Sequence, residues 1–317
     1  MYFIPTPLKQ YHINDIFYSD TGTLTIILFG NATQPTIQYL DTITSNYLDL
    51  NITVCQHNHS CIYTLDFEIA QNPEIDLYIN GEMINVHVNT YPQFPGEIIM
   101  STLVKHEDEY LKQWIDYHLR LGITRFVIYD NAHTMNLDTI LREYIEKNIV
   151  YLIKWSYNYH FEKAQFTQQN HSIYAFQKCK YIGLMDVDEY VNIQKKKMKI
   201  DDFFNELIIT NSINITHHSG FQLLNKWFYN PDNLPTNDLN FFQCFVCAHI
   251  NRGYCQKCFV IPTQVKSFSV HTVTDGSILY EVGEADAFFN HYTFLNKPHR
   301  GRDRTNMIDD SILLHLQ

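Results

Sequence analysis

Three carboxylates lie within four positions of the chain, directly after a mostly apolar run. The run is Ile182 to Met185, and Asp186, Asp188 and Glu189 follow it. A buried strand that ends in acids places them at the carboxyl edge of an open α/β sheet, where such sheets bind ligands. Because residues i and i+2 of an extended chain share one face, Asp186 and Asp188 are able to bind one divalent cation. The pattern predicts a site for a metal carrying phosphates, although acids also follow strands because turns are polar.

The elements that must position these acids alternate between strand and helix patterns from residue 97 onward. This alternation predicts an α/β fold with a Rossmann-like, mostly parallel sheet and helices on both faces. The carboxyl ends of such strands share one edge, so Asp130 and Asn131, which follow the second strand, are expected near Asp186. The predicted strands are 98–104, 125–129 and 149–153, with a fourth ending at Asp186, and the predicted helices are 106–121, 137–146 and 162–177.

The first third of the chain has a different pattern, rich in β-branched and alternating residues. Asn80-Gly81, between two alternating runs, is typical of a two-residue hairpin turn. The segment 91–96, with two prolines and a glycine, is typical of a linker. We therefore predict a small β-rich accessory domain over 1–95 and an α/β domain over 96–317.

Composition excludes several classes of protein. Lys+Arg 23 against Asp+Glu 34 gives a formal net charge of −11, which does not fit a general nucleic-acid binder. No apolar run is long enough to span a bilayer, and the first residues lack the pattern of a signal peptide. We therefore expect no transmembrane segment and a cytoplasmic location. Neither a dinucleotide fingerprint nor a P-loop is present, so carboxylates and a metal are expected to hold any nucleotide.

Two segments together resemble a known family. The segment 101–131, STLVKHEDEYLKQWIDYHLRLGITRFVIYDN, and the segment 184–190, LMDVDEY, are similar to glycosyltransferase family 92 at matching spacing. The resemblance covers roughly Glu97 to Arg304. It implies a GT-A fold, a nucleotide-sugar donor that is expected to be a UDP-sugar, Mn²⁺ or Mg²⁺, a glycan or glycoprotein acceptor, and inversion at the anomeric carbon.

The resemblance also implies roles for individual residues of this chain. Asp188 is the expected direct metal ligand, and Asp186 is expected to face the ribose or the metal. His291 and His271 are candidates for further metal ligands, and Glu189 is expected to brace the site. The residues expected to bind the donor nucleotide or its diphosphate are Lys105, Glu107, Asp130, Asn131, Gln165 and Lys297.

A transferase also needs a general base for the acceptor hydroxyl. The acids nearest to His291 in the sequence are Glu281, Glu284 and Asp286, and the sequence does not choose among them. We take Glu284 and Asp286, together with Asp188, as the predicted catalytic residues.

A separate group of cysteines has spacing typical of a zinc site. Cys244-x-x-Cys247 is followed by Cys255-x-x-Cys258, and two such pairs form the ligand set of a structural, tetrahedral Zn²⁺. The alternative is four small buried residues clustered in a hairpin.

Two other interpretations of the whole chain stay open at this point. The same carboxylates suit a metal-dependent nucleotidyltransferase or phosphotransferase, which would use a nucleoside triphosphate. The β-rich first third would alternatively make the chain a non-catalytic carbohydrate-binding protein.

Overall fold

The computed structural model describes residues 2–19, 22–29, 35–41, 46–54, 60–65, 72–105, 107–132, 136–228, 246–247, 255–292 and 307–316. The strands of the first third are β1 Tyr2–Phe3, β2 Ile13–Tyr18, β3 Leu24–Phe29, β4 Ile37–Asp41, β5 Asn46–Asp49, β6 Asn51–Val54, β7 Ser60–Leu65, β8 Glu74–Ile79, β9 Glu82–His87 and β10 Asn89–Thr90.

The strands of the remaining chain are β11 Ile98–Val104, β12 Arg125–Asp130, β13 Val150–Lys154, β14 Tyr181–Leu184, β15 Glu189–Ile193, β16 His218–Phe228, β17 Val246–Cys247, β18 Lys257–Val260, β19 Val265–Ser269, β20 Thr272–Gly276, β21 Ile278–Glu281, β22 Ala287–Tyr292 and β23 Met307–Ile308. The α-helices are α1 Asp108–Arg120, α2 Leu137–Ile140, α3 Arg142–Glu146, α4 Ala164–Ala175 and α5 Ile200–Thr210. Short 3-10 helices lie at Lys9–Tyr11, Ile215–His217, Pro262–Gln264 and Ser311–His315.

The central sheet has a parallel half, as the sequence predicts. Its strands run in the order β1-β13-β12-β11-β14, and each neighbouring pair is parallel. Successive residues face opposite sides: Met100 packs with α1 and α5, whereas Ile99 packs with α4. The predicted α/β fold with helices on both faces of the sheet is therefore confirmed.

The apolar stripe of the first helix explains how α1 is held on the sheet. Tyr110, Leu111, Trp114 and Ile115 recur at helical spacing and are all buried. The helix predicted over 137–146 is wrong in detail, because Leu141 interrupts it with φ −101° and ψ 10°. Among the helices that the structure describes, none is both long and apolar enough to cross a membrane.

Beyond β14 the sheet is mixed, a feature that the sequence patterns did not predict: β18 is antiparallel to both of its neighbours, whereas β16 and β22 are parallel. β18 pairs with β14 and β16, and β22 joins β16 to β15. The two backbones of β16 and β18 approach closely at Gly220, which has φ +132° and where a Cβ would lie 2.0 Å from the Phe259 carbonyl oxygen. Glycine is needed there to bring β18, and the residues that it carries, against the strand ending in Asp186.

The β-rich first third forms two further sheets, β10-β2-β3-β7-β6 and β5-β4-β8-β9. The predicted hairpin is present: β8 and β9 meet at Asn80 and Gly81, with φ +50° and +90°. The five-stranded sheet packs on α4, because Phe17 and Ile27 share a buried cluster with Ile173. The boundary predicted at residue 95 therefore crosses a shared hydrophobic core.

Candidate active site

The acids follow β14, which is buried between β11 and β18. Asp186 and Asp188 lie in the turn between β14 and β15, and Glu189 begins β15. The Asp186 backbone N–H donates to Glu189 Oε2 at 2.8 Å, so the third acid closes the turn that carries the first two. This local bond holds the three carboxylates together at the carboxyl edge of the sheet.

Asp186 has both carboxylate oxygens in hydrogen bonds. Gln165 Nε2, in the first turn of α4, donates to Oδ1 at 3.0 Å, and Lys257 Nζ lies 2.7 Å from Oδ2. Gln165 is held in turn by the Tyr159 hydroxyl, which donates to its Oε1 at 2.7 Å. The predicted placement of Gln165 beside the donor site therefore corresponds to direct contact with Asp186.

Lys257 is the main site residue that the sequence patterns missed. It lies on β18, is 1% exposed, and places Nζ 3.1 Å from Glu189 Oε2 as well as 2.7 Å from Asp186. Burial alone would lower the pKa of Lys257, but the two carboxylates raise it well above its usual value. The available signal was a single lysine at the start of an otherwise apolar strand, hidden inside a Cys-x-x-Cys spacing.

A group of possible metal ligands forms where β15 pairs with β22. Glu189 and His291 are opposite each other in the register, and His291 Nε2 lies 3.3 Å from Asp188 Oδ2. One ligand atom from each of these three residues lies within 4.8 Å of the others. Two carboxylates and an imidazole fit the preferences of Mn²⁺, so the donor set agrees with the metal that the family resemblance implies.

The charges of this group are linked. Burial alone would lower the pKa of His291, but Asp188 and Glu189 raise it above its usual value. Burial raises the pKa of Glu189, and the Lys257 ammonium opposes that shift. Burial also acts to raise the pKa of Asp186, yet Lys257 outweighs it and lowers the pKa. Lys257 thus favours the charged form of Asp186, and Asp188 and Glu189 favour the charged form of His291.

A cavity of about 780 Å³ opens over these residues. Tyr159 and His160 on the loop before α4 form one part of its wall, and Cys255 and Ser269 form another. The structure brings seven of the predicted site residues to this one cavity: Lys105, Glu107, Gln165, Asp186, Asp188, His271 and His291.

His271 lines the cavity but is not one of the three possible metal ligands whose atoms lie within 4.8 Å of one another. It lies in the turn between β19 and β20, and its Nδ1 is 3.0 Å from the Gln256 carbonyl oxygen. A carbonyl only accepts, so Nδ1 carries the proton and Nε2 is the basic nitrogen of the neutral ring. Burial, together with the Lys257 charge, lowers the pKa of His271 and favours this neutral form.

Asp130 and Asn131 lie at the predicted strand end but are buried and do not line the cavity. Asn131 Nδ2 donates to the carbonyl oxygens of Trp155 and Tyr157 at 2.6 and 2.7 Å. Asp130 Oδ1 accepts from the Ala132 backbone N–H at 3.1 Å. Asn131 thereby anchors the loop that carries Tyr159, and the contact of Asp130 and Asn131 with a nucleotide stays a prediction.

The predicted catalytic acids Glu284 and Asp286 lie away from this site. They precede β22, whose other end carries His291. β22 runs antiparallel to β15, so five residues of strand separate Asp286 from His291 by roughly 17 Å. Glu281 is exposed at the end of β21. Asp286 therefore lies far from His291, and the identity of the base stays a prediction.

The remaining predicted site residues are only partly described. Lys297 and Cys244 lie outside the described residues. Cys247 pairs with Phe228 and Cys258 with Gln222, six positions apart on β16, which separates them by roughly 20 Å. Zinc needs sulfur ligands about 2.3 Å from one ion, so the described cysteines do not converge on the predicted zinc site.

The sequence comparison gives the family. The glycosyltransferase family 92 model matches residues 99–312, and the chain belongs to this family.

Individual relatives match a shorter region. A glycosyltransferase family 92 protein of Ricinus communis is 28% identical over 103 residues, covering 31% of this chain and 18% of the relative. One of Arabidopsis thaliana is 32% identical over 100 residues, covering 30% of this chain and 16% of the relative. The chain thus covers less than a fifth of the length of the curated relatives it matches.

A solved structure of S. aureus TarS, residues 1–349, has a TM-score of 0.37 and 12% identity, covering 62% of this chain and 60% of that chain. Similarity at that level does not define a function.

Proposed function

We propose that this chain transfers a hexose from a nucleotide-sugar, with UDP as the nucleotide, to a hydroxyl of a glycan or glycoprotein, with the aid of a divalent metal and with inversion. The observation that carries the proposal is the group of Asp188, Glu189 and His291 at the wall of a cavity of about 780 Å³. Cavities of several hundred Å³ accommodate small-molecule ligands. Membership of a glycosyltransferase family supports the reaction class.

In this proposal, Asp188, Glu189 and His291 hold the ion. A bound Mn²⁺ or Mg²⁺ supplies a Lewis acid that stabilises the negative charge on the departing nucleoside diphosphate. Lys105, exposed at the cavity, adds a positive charge toward the phosphates. Its backbone N–H donates to Glu107 Oε2 at 2.7 Å, which fixes the turn after β11. Asp186 keeps its oxygens aligned through Gln165 and Lys257.

We further propose His271 as the general base that takes the acceptor proton. Its Nδ1–H is held by the Gln256 carbonyl, which orients the ring and leaves Nε2 able to accept a proton. The lowered pKa keeps the imidazole neutral near pH 7. This assignment replaces the acids chosen by their closeness in sequence to His291.

The first test is nucleotide binding by calorimetry with UDP, GDP, CMP and ATP, each with and without Mn²⁺. We expect UDP binding that requires Mn²⁺ and is lost in Asp188→Asn, because the substitution removes one carboxylate ligand. Asp286→Asn is the matched control: it changes an aspartate at the far end of β22 and should leave UDP binding unchanged.

The outcomes separate the proposal from its alternatives. UDP binding should be followed by turnover of a UDP-sugar in the presence of a glycan acceptor. Preference for ATP without sugar transfer would favour the nucleotidyltransferase or phosphotransferase alternative. If well-folded wild type binds no nucleotide, the transferase function is contradicted. Carbohydrate binding by the first third is then the alternative to test. The cytoplasmic location stays a prediction from the sequence.

A further inference from the structure

Lys257 is a buried cation set between two of the three site acids. Its side chain is 1% exposed, and Nζ lies 2.7 Å from Asp186 Oδ2 and 3.1 Å from Glu189 Oε2. A buried ammonium is strongly unfavourable without such partners. β18 delivers it there, because Cys258 pairs with Leu184 and the preceding residue therefore reaches the end of β14. Lys257 thus links Asp186 and Glu189, the two ends of the acidic turn.

The contacts of Lys257 decide which oxygens remain for a metal. Asp186 lines the cavity, but its Oδ1 already accepts from Gln165 and its Oδ2 from Lys257, so a metal ion would compete with one partner at each oxygen. Glu189 uses Oε2 for Lys257 and for the Asp186 backbone N–H. Its Oε1 is directed toward His291, with Nδ1 at 3.8 Å. Asp188, Glu189 and His291 are the residues whose ligand atoms lie within 4.8 Å of one another at the cavity.

We infer that Lys257 is a built-in counter-cation that withholds Asp186 from the ligand set and limits the site to one divalent ion. The inference rests on the metal dependence in the proposed function. The Lys257 ammonium offsets one of the negative charges that Asp186, Asp188 and Glu189 carry when ionised, and it occupies one oxygen of Asp186 and one of Glu189. A second ion that used these oxygens would have to displace the ammonium from Asp186 and Glu189. Lys257 is therefore a positioning residue that sets the ligand number.

The test is Mn²⁺ binding without nucleotide, measured by calorimetry and by electron paramagnetic resonance of the free ion. Wild type should bind one Mn²⁺. Lys257→Met should bind two, or bind one at least tenfold more tightly, because it frees Asp186 Oδ2 and Glu189 Oε2. Lys257→Met/Asp186→Asn removes one charge of each sign and should return to one ion with near wild-type affinity. Unchanged stoichiometry and affinity in Lys257→Met would overturn the inference.

Lys226→Met is the matched control. Lys226 is also a largely buried lysine, on neighbouring β16, but it pairs with Asp309 and does not line the cavity. Its loss should lower the melting temperature and leave Mn²⁺ binding unchanged; an equal change in Mn²⁺ binding would show that general loosening, rather than the site charge, is responsible.

Asp186→Asn keeps the inference testable if Lys257→Met does not fold. It should retain one Mn²⁺ within about threefold of the wild-type affinity, since Asp186 is not a ligand. Loss of binding as complete as in Asp188→Asn would overturn the inference while leaving a metal-dependent transferase intact. Conversely, one Mn²⁺ per chain without any sugar transfer would refute the proposed function and not the role of Lys257. Absence of Mn²⁺ binding in wild type would overturn the inference, and turnover in a chelator would then decide the function separately.

Discussion

Two groups of buried polar side chains, one between the β-rich first third and α4 and one at the acidic turn, differ in whether they open onto a cavity. In the first, Asp15 on β2 and His171 on α4 are both fully buried, with His171 Nε2 2.9 Å from Asp15 Oδ2. Asp15 also accepts from the Tyr91 hydroxyl, Asn89 Nδ2 and two backbone N–H groups. His171 Nδ1 is 2.7 Å from the Tyr129 hydroxyl. Each side-chain oxygen of Asp15 and each ring nitrogen of His171 therefore has a partner within the protein.

The second group is equally buried at its centre but open at its edge. Lys257 and Glu189 are each 1% exposed, yet Glu189 Oε1, Asp188 and His291 face a cavity. Burial and pairing are therefore common to a structural cluster and to a candidate active site. The difference lies in the lone pairs left directed at a space that a ligand can enter. That criterion predicts which substitutions affect stability and which affect chemistry.

The largest expected effect follows from disrupting the fully buried group of Asp15 and His171, here called the closed group. Asp15→Ala leaves His171 and the Tyr91 hydroxyl without their buried acceptor and should cost about 3–5 kcal/mol of unfolding free energy, measured by urea denaturation. Asp76→Ala is the control, because Asp76 is a surface aspartate whose bond to Asn85 is exposed, and it should cost less than about 0.5 kcal/mol. A cost below about 1 kcal/mol for Asp15→Ala would mean that the closed group does not link the first third to α4.

His271, which lines the cavity, should affect catalysis rather than stability. His271→Gln should reduce kcat for sugar transfer by about 100-fold, the usual contribution of a general base, with little change in stability or in Mn²⁺ binding. In wild type, activity should rise with pH as the imidazole loses its proton, with a midpoint below the usual pKa of histidine, because the pKa of His271 is lowered. The variant should lack this acidic limb. Retention of a third or more of the wild-type kcat would assign the base to another group.

A sequence alone predicts local parts of this arrangement and misses the long-range ones. The acids after β14, the strand Ile98–Val104 and the Asn80-Gly81 turn each depend on residues close in the chain, and all are present. Lys257 is 71 positions from its partner Asp186. It lies on β18, and no local pattern in the sequence predicts that β18 pairs antiparallel with β14.

Closeness in sequence was also misleading. Asp286 is five residues from His291, but a strand is extended, so the same five residues carry it to the opposite end of β22. Asp15 and His171 are 156 positions apart and in touch. Tertiary pairing, which the sequence patterns do not encode locally, decides both cases.

His118 is a further buried histidine, and it should make the stability of the fold depend on pH. His118 donates Nδ1–H to the Trp114 carbonyl at 2.9 Å and accepts from the Val191 backbone N–H at Nε2, so only the neutral ring satisfies both bonds. Burial lowers its pKa to about 3. Between that value and about 6.5, the unfolded chain binds the extra proton, so stability is lost as the pH falls through this window.

His118→Gln keeps a donor and an acceptor but does not titrate. Between pH 7 and pH 4.5 its unfolding free energy should fall by about 2 kcal/mol less than that of wild type, measured by urea denaturation at each pH. His87→Gln, at an exposed histidine beside Glu74, is the control and should not flatten the profile in this way. Parallel profiles for wild type and His118→Gln would show that His118 does not contribute to acid sensitivity.

The smallest effect is expected for the hydrogen bonds that connect Tyr159 through Gln165 to Asp186. Tyr159→Phe removes the hydroxyl that donates to Gln165, which in turn donates to Asp186. One hydrogen bond on a partly exposed side chain contributes about 1 kcal/mol, so UDP affinity should fall about fivefold. Mn²⁺ affinity should be retained if Asp186 is outside the ligand set, as we propose. Tyr144→Phe loses a comparable bond to Asp116, between α3 and α1, and should change neither affinity. A fall in Mn²⁺ affinity as large as the fall in UDP affinity would indicate that Asp186 is a metal ligand. It would contradict the proposal that Lys257 withholds Asp186 from the ligand set.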